Sequence, residues 1–118
     1  VKAAERAIGI AYAVAGGKMI EGAVGLACAF YVRGRTSAAH LDSRDADNML
    51  KTVKDGLQGV AYTNDRRVTV AVALKVWSAT PETRIAVWSA DEVDLFLRLD
   101  AVVARLLSPT LEDRSAVR

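Results

Sequence analysis

Val68-Thr69-Val70-Ala71-Val72-Ala73-Leu74-Lys75-Val76-Trp77 is the stretch on which the fold turns. Its β-branched residues, with no Gly or Pro among them, mark a strand, and apolar side chains at both odd and even positions predict a central one. Before it, Met49, Val53 and Leu57, with Leu50 beside them, recur at helical spacing, so about Asp47 to about Leu57 reads as a helix. Asp47, Lys51, Lys54 and Asp55 fall roughly opposite that stripe, and Gly59 is a natural stop. Earlier still, Glu21 to Val32 alternates as a strand. Val24, Leu26, Cys28, Phe30 and Val32 share one face, and Gly25, Ala27 and Ala29 the other. The small face predicts a helix packed close against it. Strand, helix and strand in this order predict a right-handed crossover between parallel strands.

The flanks complete the outline. Lys2 to Ala15 carries Ala4, Ile8, Ala11, Tyr12 and Ala15 at helical spacing and stops at Gly16-Gly17. After the second strand, Ser78 to Glu82 contains Pro81 and reads as a turn, with Thr83 to Trp88 as the returning strand of a hairpin. A third helix is expected from about Ala90 to Leu107, opened by a capping box of Ser89 and Glu92. Phe96, Leu99, Val103 and Leu106 should face inward, and Asp94, Arg98, Ala101 and Arg105 outward. The expected fold class is α+β: a small mixed β-sheet with a βαβ core, a C-terminal-side hairpin and flanking helices. It forms a single domain over residues 1–108, followed by a polar tail over 109–118.

Composition narrows the function. At 118 residues the chain has room for one ordinary domain. A single cysteine, Cys28, excludes an internal disulfide framework and a multi-cysteine zinc site, and a single histidine, His40, excludes a His-rich one. Cys28, among small strand neighbours, reads as core. A formal charge of +2 is too weak to argue for nucleic acid by itself. Val68 to Val76 is the most continuous apolar run, far short of a membrane span and interrupted by Lys75, so no membrane partner is expected. No leader pattern is visible, although the chain begins at Val1 rather than Met and residues can lie upstream.

The chemistry concentrates between the two strands, in Arg44-Asp45-Ala46-Asp47-Asn48-Met49-Leu50-Lys51, then Asp55, then Asn64-Asp65. If the entry to the helix is extended, Asp45 and Asp47 point to one side. Two such carboxylates repel unless a proton or a cation joins them, and a hard cation, Mg²⁺ first, is the natural guest. Lys51 follows Asp47 by one helical turn, in reach of a phosphate or a leaving oxygen. A structural account also exists: Asp47 as the N-cap, Asp47 and Lys51 as an ordinary i,i+4 ion pair, and Asp65 as a loop carboxylate. From spacing alone the structural account is the commoner one.

Taken whole, Asp45-x-Asp47-Asn48-x-x-Lys51-x-x-x-Asp55-x-Leu57, then Asn64-Asp65-x-x-Val68, with Lys75 near the end of the strand, resembles the RusA family of Holliday junction resolvases. The resemblance runs from roughly Glu21 to Trp88. It implies a homodimeric endonuclease that cuts four-way DNA junctions by paired nicks, in recombination and repair, with Mg²⁺ as cofactor and Mn²⁺ as the alternative. Asp45, Asp47 and Asp65 would hold the metal, and Lys51 would join them as a catalytic residue. Arg33, Arg35, Arg44, Arg66, Arg67 and Lys75 are the implied DNA contacts, with His40 a phosphate contact or a surface residue. Asp55 would support the helix face. Trp77 and Trp88 read as core or dimer packing ahead of base stacking. The implied setting is the cytoplasm of a bacterium or of a phage-infected host. The family usually opens with a strand carrying a Pro-Pro-Ser-x-Asn-like segment, which is missing here, and the position before Asp65, often acidic, is Asn64.

Two other classes compete: a non-catalytic branched-DNA-binding module, and a structural dimer module built on the last helix. Geometry leaves one question open. A parallel βαβ unit puts the helix start and the second strand's start at opposite ends, so Asp65 reaches its own chain's pair only if the intervening loop folds back. The alternative, favoured here, is a composite site in which Asp65 of one subunit meets Asp45 and Asp47 of the other.

Overall fold

The computed structural model describes residues 2–33, 46–90 and 95–108. Its elements are α1 (Lys2–Val14), β1 (Val24–Val32), α2 (Ala46–Leu57), a 3₁₀ turn (Asp65–Arg67), β2 (Val68–Trp77), β3 (Glu82–Ser89) and α3 (Leu95–Leu107). The strands form one sheet in the order β2-β1-β3, with β1 parallel to β2 and antiparallel to β3. The α+β class and the parallel β1–α2–β2 core agree with the sequence reading.

Two expectations are corrected. β2 is an edge of the described sheet, and β1 is the central strand. β2 and β3 do not pair as a hairpin; β3 runs along β1 from Val24 opposite Ser89 to Tyr31 opposite Glu82. Burial supplies the reason. Val24 to Phe30 are all buried, so β1 is covered on both faces and its backbone groups find partners on both sides. In β2, Thr69, Ala71 and Trp77 are exposed. Alanine and threonine tolerate water, so an apolar-looking run gave no proof of centrality. Residues 78–81 carry the chain past the end of β1, where the Ser78 N–H donates to the Val32 carbonyl at 2.9 Å. That step crosses two strand spacings, about 10 Å, within the reach of four residues.

The two faces of β1 organise the core as the alternation predicts. Val24, Leu26, Cys28 and Phe30 pack with Val53 and Leu57 of α2 and with Ala61 and Tyr62, and Ile8 and Tyr12 of α1 close that layer. Burial pushes the Cys28 thiol up to about 12, which suits a core residue. Helix α1 lies on α2 through glycine: a Cβ at Gly56 would stand 2.7 Å from the Glu5 carbonyl oxygen. Gly16 and Gly59 both take positive φ, at 85° and 88°, just beyond the helices they were expected to stop.

On the opposite face, Ala27 and Ala29 pack with Trp88 and with Leu99, Val102 and Leu106 of α3. The Trp88 indole occupies the space a Cβ at Gly25 would need. Thus the small face does receive a helix. Leu99 and Leu106 face inward as expected, and Val102 joins them. The C-terminal end of α3 is fastened to the sheet. The Tyr31 hydroxyl donates to the Leu106 carbonyl at 2.8 Å, and Arg84 donates to the carbonyls of Leu106 and Ser108 at 3.0 and 2.6 Å. The Arg84 guanidinium also lies 4.5 Å over the Tyr31 ring and pairs with Glu82. Ser89, expected as the cap of this helix, instead ends β3, and the Ala90 N–H still donates to the Ala23 carbonyl at 2.8 Å, so the helix does not start at Ala90; Glu92 and the side chain of Phe96 lie outside the described residues. Among those residues no helix is long and apolar enough to cross a membrane.

Candidate active site

Helix α2 buries Val53 and Leu57 against β1 and turns its polar side away from the sheet. Asp47, Lys51, Lys54 and Asp55 occur there at helical steps, so all four follow one flank. With Leu50 and Asp65 they line a groove of about 380 Å³. A larger cavity, about 810 Å³, lies between α1, β3 and α3, but only Arg84 and Arg105 bring charge to it. The residues suited to phosphate chemistry gather in the smaller groove.

The far wall of the groove depends on the loop after α2. Asn64 caps the 3₁₀ turn, its side-chain oxygen accepting from the Arg66 N–H at 2.9 Å. The Asp65 N–H donates to Gln58 Oε1 at 3.1 Å. Tyr62 is fully buried and its hydroxyl donates to the Lys54 carbonyl at 2.6 Å, tying the loop to the last turn of α2. Burial first, then the charges of Asp65 and Asp55, raise the Tyr62 pKa, so the phenol keeps its proton and remains a donor. Asp55 lies in the last turn of α2, and Asp65 is held to Gln58 just beyond it, so both stand near one end of the groove. Asp47 stands at the other end, since the eight residues from Asp47 to Asp55 advance about 12 Å along the helix. Lys51 and Lys54 lie between. The charge order is therefore acid, lysine, lysine, acid.

Two structural readings of the motif are not met. Helix α2 begins at Ala46, so Asp47 lies inside its first turn and is not the N-cap. Lys51 makes no ion pair with Asp47; the ion pair found among the described residues joins Arg84 to Glu82. Asp47, Lys51 and Asp55 are all exposed, and Asp65 is half-buried. Among the described residues no three His, Cys, Asp or Glu side chains gather where one metal ion could touch them all. Asp45 lies outside the described residues, as do Arg35, His40 and Arg44. The donors at hand are carboxylate oxygens without imidazole or thiolate, a set suited to a hard divalent cation.

The expected DNA contacts divide. Arg33 and Arg66 are exposed. Arg67 turns back and donates to the Glu21 carbonyl, which holds the 3₁₀ turn against the segment before β1. Lys75 is half-buried, opposite Phe30 in the register, on the same face of β2 as Ala73 and thus the α2 side of the sheet. Trp88 is core at 8% exposure, whereas Trp77 stays open at 39%. Sequence reasoning gave no role to Gln58, Tyr62 or Lys54. The helical step from Lys51 to Lys54 was the available signal for Lys54. Nothing local announced the other two, because their partners are set by the folded loop.

A strand–helix–strand unit with carboxylates and lysines along one exposed flank is an arrangement for phosphodiester chemistry. The family described as Endodeoxyribonuclease RusA matches residues 1–88, and the chain belongs to that family, whose members are Holliday junction endodeoxyribonucleases. The protein is thus an enzyme of DNA recombination and repair. No curated protein and no solved structure matches the chain.

Proposed function

We propose that the protein cuts four-way DNA junctions as a divalent-metal-dependent homodimer, nicking two symmetry-related strands. Asp45, Asp47 and Asp65 would hold the cation, Mg²⁺ or Mn²⁺. When bound, it would supply an activated water and offset charge on the phosphate being cut. Lys51, one turn from Asp47 and free of any carboxylate partner among the described residues, adds positive charge beside the phosphate as negative charge grows in the transition state. Arg66 and Arg33 are exposed where they can meet the flanking backbone, and such contacts fix register without reading sequence.

The observation that carries this reading is the polarity of the groove, with Asp47 at one end and Asp55 and Asp65 at the other. A two-fold axis across it sets the Asp65 end of one subunit against the Asp47 end of the other. Two complete sites then form only in the dimer, which couples one cut to the other. The experiment mixes two inactive variants, Asp47→Asn and Asp65→Asn, under conditions of subunit exchange, with a four-way junction and Mg²⁺. Each heterodimer keeps one unbroken composite site, so nicking should return, and EDTA should stop it. A mixture that stays inactive while the wild type cuts places the whole site in one chain. Junction binding without cutting by the wild type, at any Mg²⁺ or Mn²⁺ concentration, would leave a binding module.

A further inference from the structure

We propose that Lys54 is a second phosphate-contacting residue of the groove, gripping the DNA strand beside the position served by Lys51. The inference rests on the junction-cutting reading above and adds a residue to it. Lys54 lines the same groove as Asp47, Lys51, Asp55 and Asp65. The residue is half-buried, and a lysine so placed can cover its stem while keeping its ammonium in water. Among the described residues it forms no ion pair, although Asp55 is its neighbour in sequence.

The backbone under Lys54 is unusually well fixed for the end of a helix. Its carbonyl accepts the Tyr62 hydroxyl at 2.6 Å, and it also receives the Gln58 N–H at 3.2 Å. Tyr62 is itself fully buried, so the turn that presents Lys54 is anchored to the core. A fixed turn lowers the entropy lost when the side chain engages a ligand. Residues three apart on a helix have Cβ atoms about 5–6 Å apart, so Lys51 and Lys54 together can follow a strand rather than a single point. The two ammonium groups lie between the acidic ends, where a polyanion must pass to reach a cation held by the carboxylates.

The rival account is a cation in the last turn of α2 that serves only to oppose the helix dipole. Salt separates the two. Each lysine that neutralises a phosphate contributes about 0.9 to the slope of log affinity against log salt for duplex DNA. Wild type, Lys54→Gln and Lys54→Arg are each compared for binding to a four-way junction in Ca²⁺ and for cleavage in Mg²⁺, with melting temperatures alongside. Lys54→Gln should flatten the slope by about one unit, so its affinity deficit narrows roughly threefold between about 50 and about 200 mM salt. KM should rise with little change in kcat, and Lys54→Arg should keep the wild-type slope. An unchanged slope in a Lys54→Gln protein that melts like the wild type overturns the proposal, and so does a loss confined to kcat. A wild type that neither binds nor cuts junctions removes the functional reading itself, an outcome distinct from a silent Lys54→Gln in an active enzyme.

Discussion

Replacing Gly56 with alanine gives opposite signs according to whether α1 truly crosses α2 at this point. On an isolated helix the change stabilises, because glycine in a helix interior is worse than alanine by about 1 kcal/mol. In the folded protein the new Cβ stands 2.7 Å from the Glu5 carbonyl oxygen, 3.1 Å from the Glu5 Cα and 3.2 Å from Ile8 Cβ. Two of these three atoms are backbone, so no rotamer change relieves the contact and α1 must move outward by several tenths of an ångström. Overpacking of this kind costs about 1–3 kcal/mol. Subtracting the helix gain leaves a net loss near 1 kcal/mol, with a range of about 0–2. For a domain of this size a loss of about 1 kcal/mol lowers the melting temperature by about 4 °C. Thermal and urea melts of Gly56→Ala beside the wild type measure it, and the urea slope should stay the same if both states keep their exposure. A melting temperature raised by about 4 °C would mean that the two helices do not meet at Gly56, and the packing argument would fall.

Two further outcomes follow from the site and the core. Lys51→Ala should reduce the cleavage rate at least tenfold, roughly the loss of 1.4 kcal/mol of transition-state stabilisation, while melting changes by no more than an exposed charge is worth, about 0.5 kcal/mol; equal activity with a large melting loss would make Lys51 structural. The Cys28 thiol, raised from 9.0 to about 12 by burial, should resist iodoacetamide in the native protein at about pH 8.5 and react once urea unfolds it, followed by intact mass. Because its folded pKa lies above the unfolded one, its neutral form contributes stability below about pH 9 that is lost as pH rises toward 12, and labelling of native protein at the unfolded rate would refute the burial.

Local pattern served best where one element explains itself. The stripe of Met49, Val53 and Leu57 and the β-branched run from Val68 located α2 and β2 within about one residue, and the Gly25, Ala27 and Ala29 face foretold the helix that covers it. The order of the strands was not legible, because Pro81 and a short connection fit a hairpin as well as a step past β1. What decides between them is that β1 buries every residue from Val24 to Phe30, a property of the assembled sheet. The groove divides likewise. Asp47, Lys51 and Asp55 share a helix flank by spacing alone, whereas Asp65 joins them through contacts of Gln58, Tyr62 and Asn64 that exist only once residues 58–64 have folded. The contact of Gly56 with Glu5 was hidden for the same reason: the neighbour of this glycine lies in another helix.

The fastening of α3 by Tyr31 and Arg84 bears on where this protein can be cut apart. The family match stops at residue 88, before α3 begins, yet Ala27, Ala29 and Trp88 find their cover in Leu99, Val102 and Leu106 beyond it. A chain trimmed to the matched segment would leave that face of the sheet open to water, an adhesive surface on a three-stranded sheet. Arg84 and Tyr31 would lose the carbonyls they hold at the end of α3. The cover for that face therefore lies beyond the matched segment, and the sheet of this protein shares its packing with a helix outside that match.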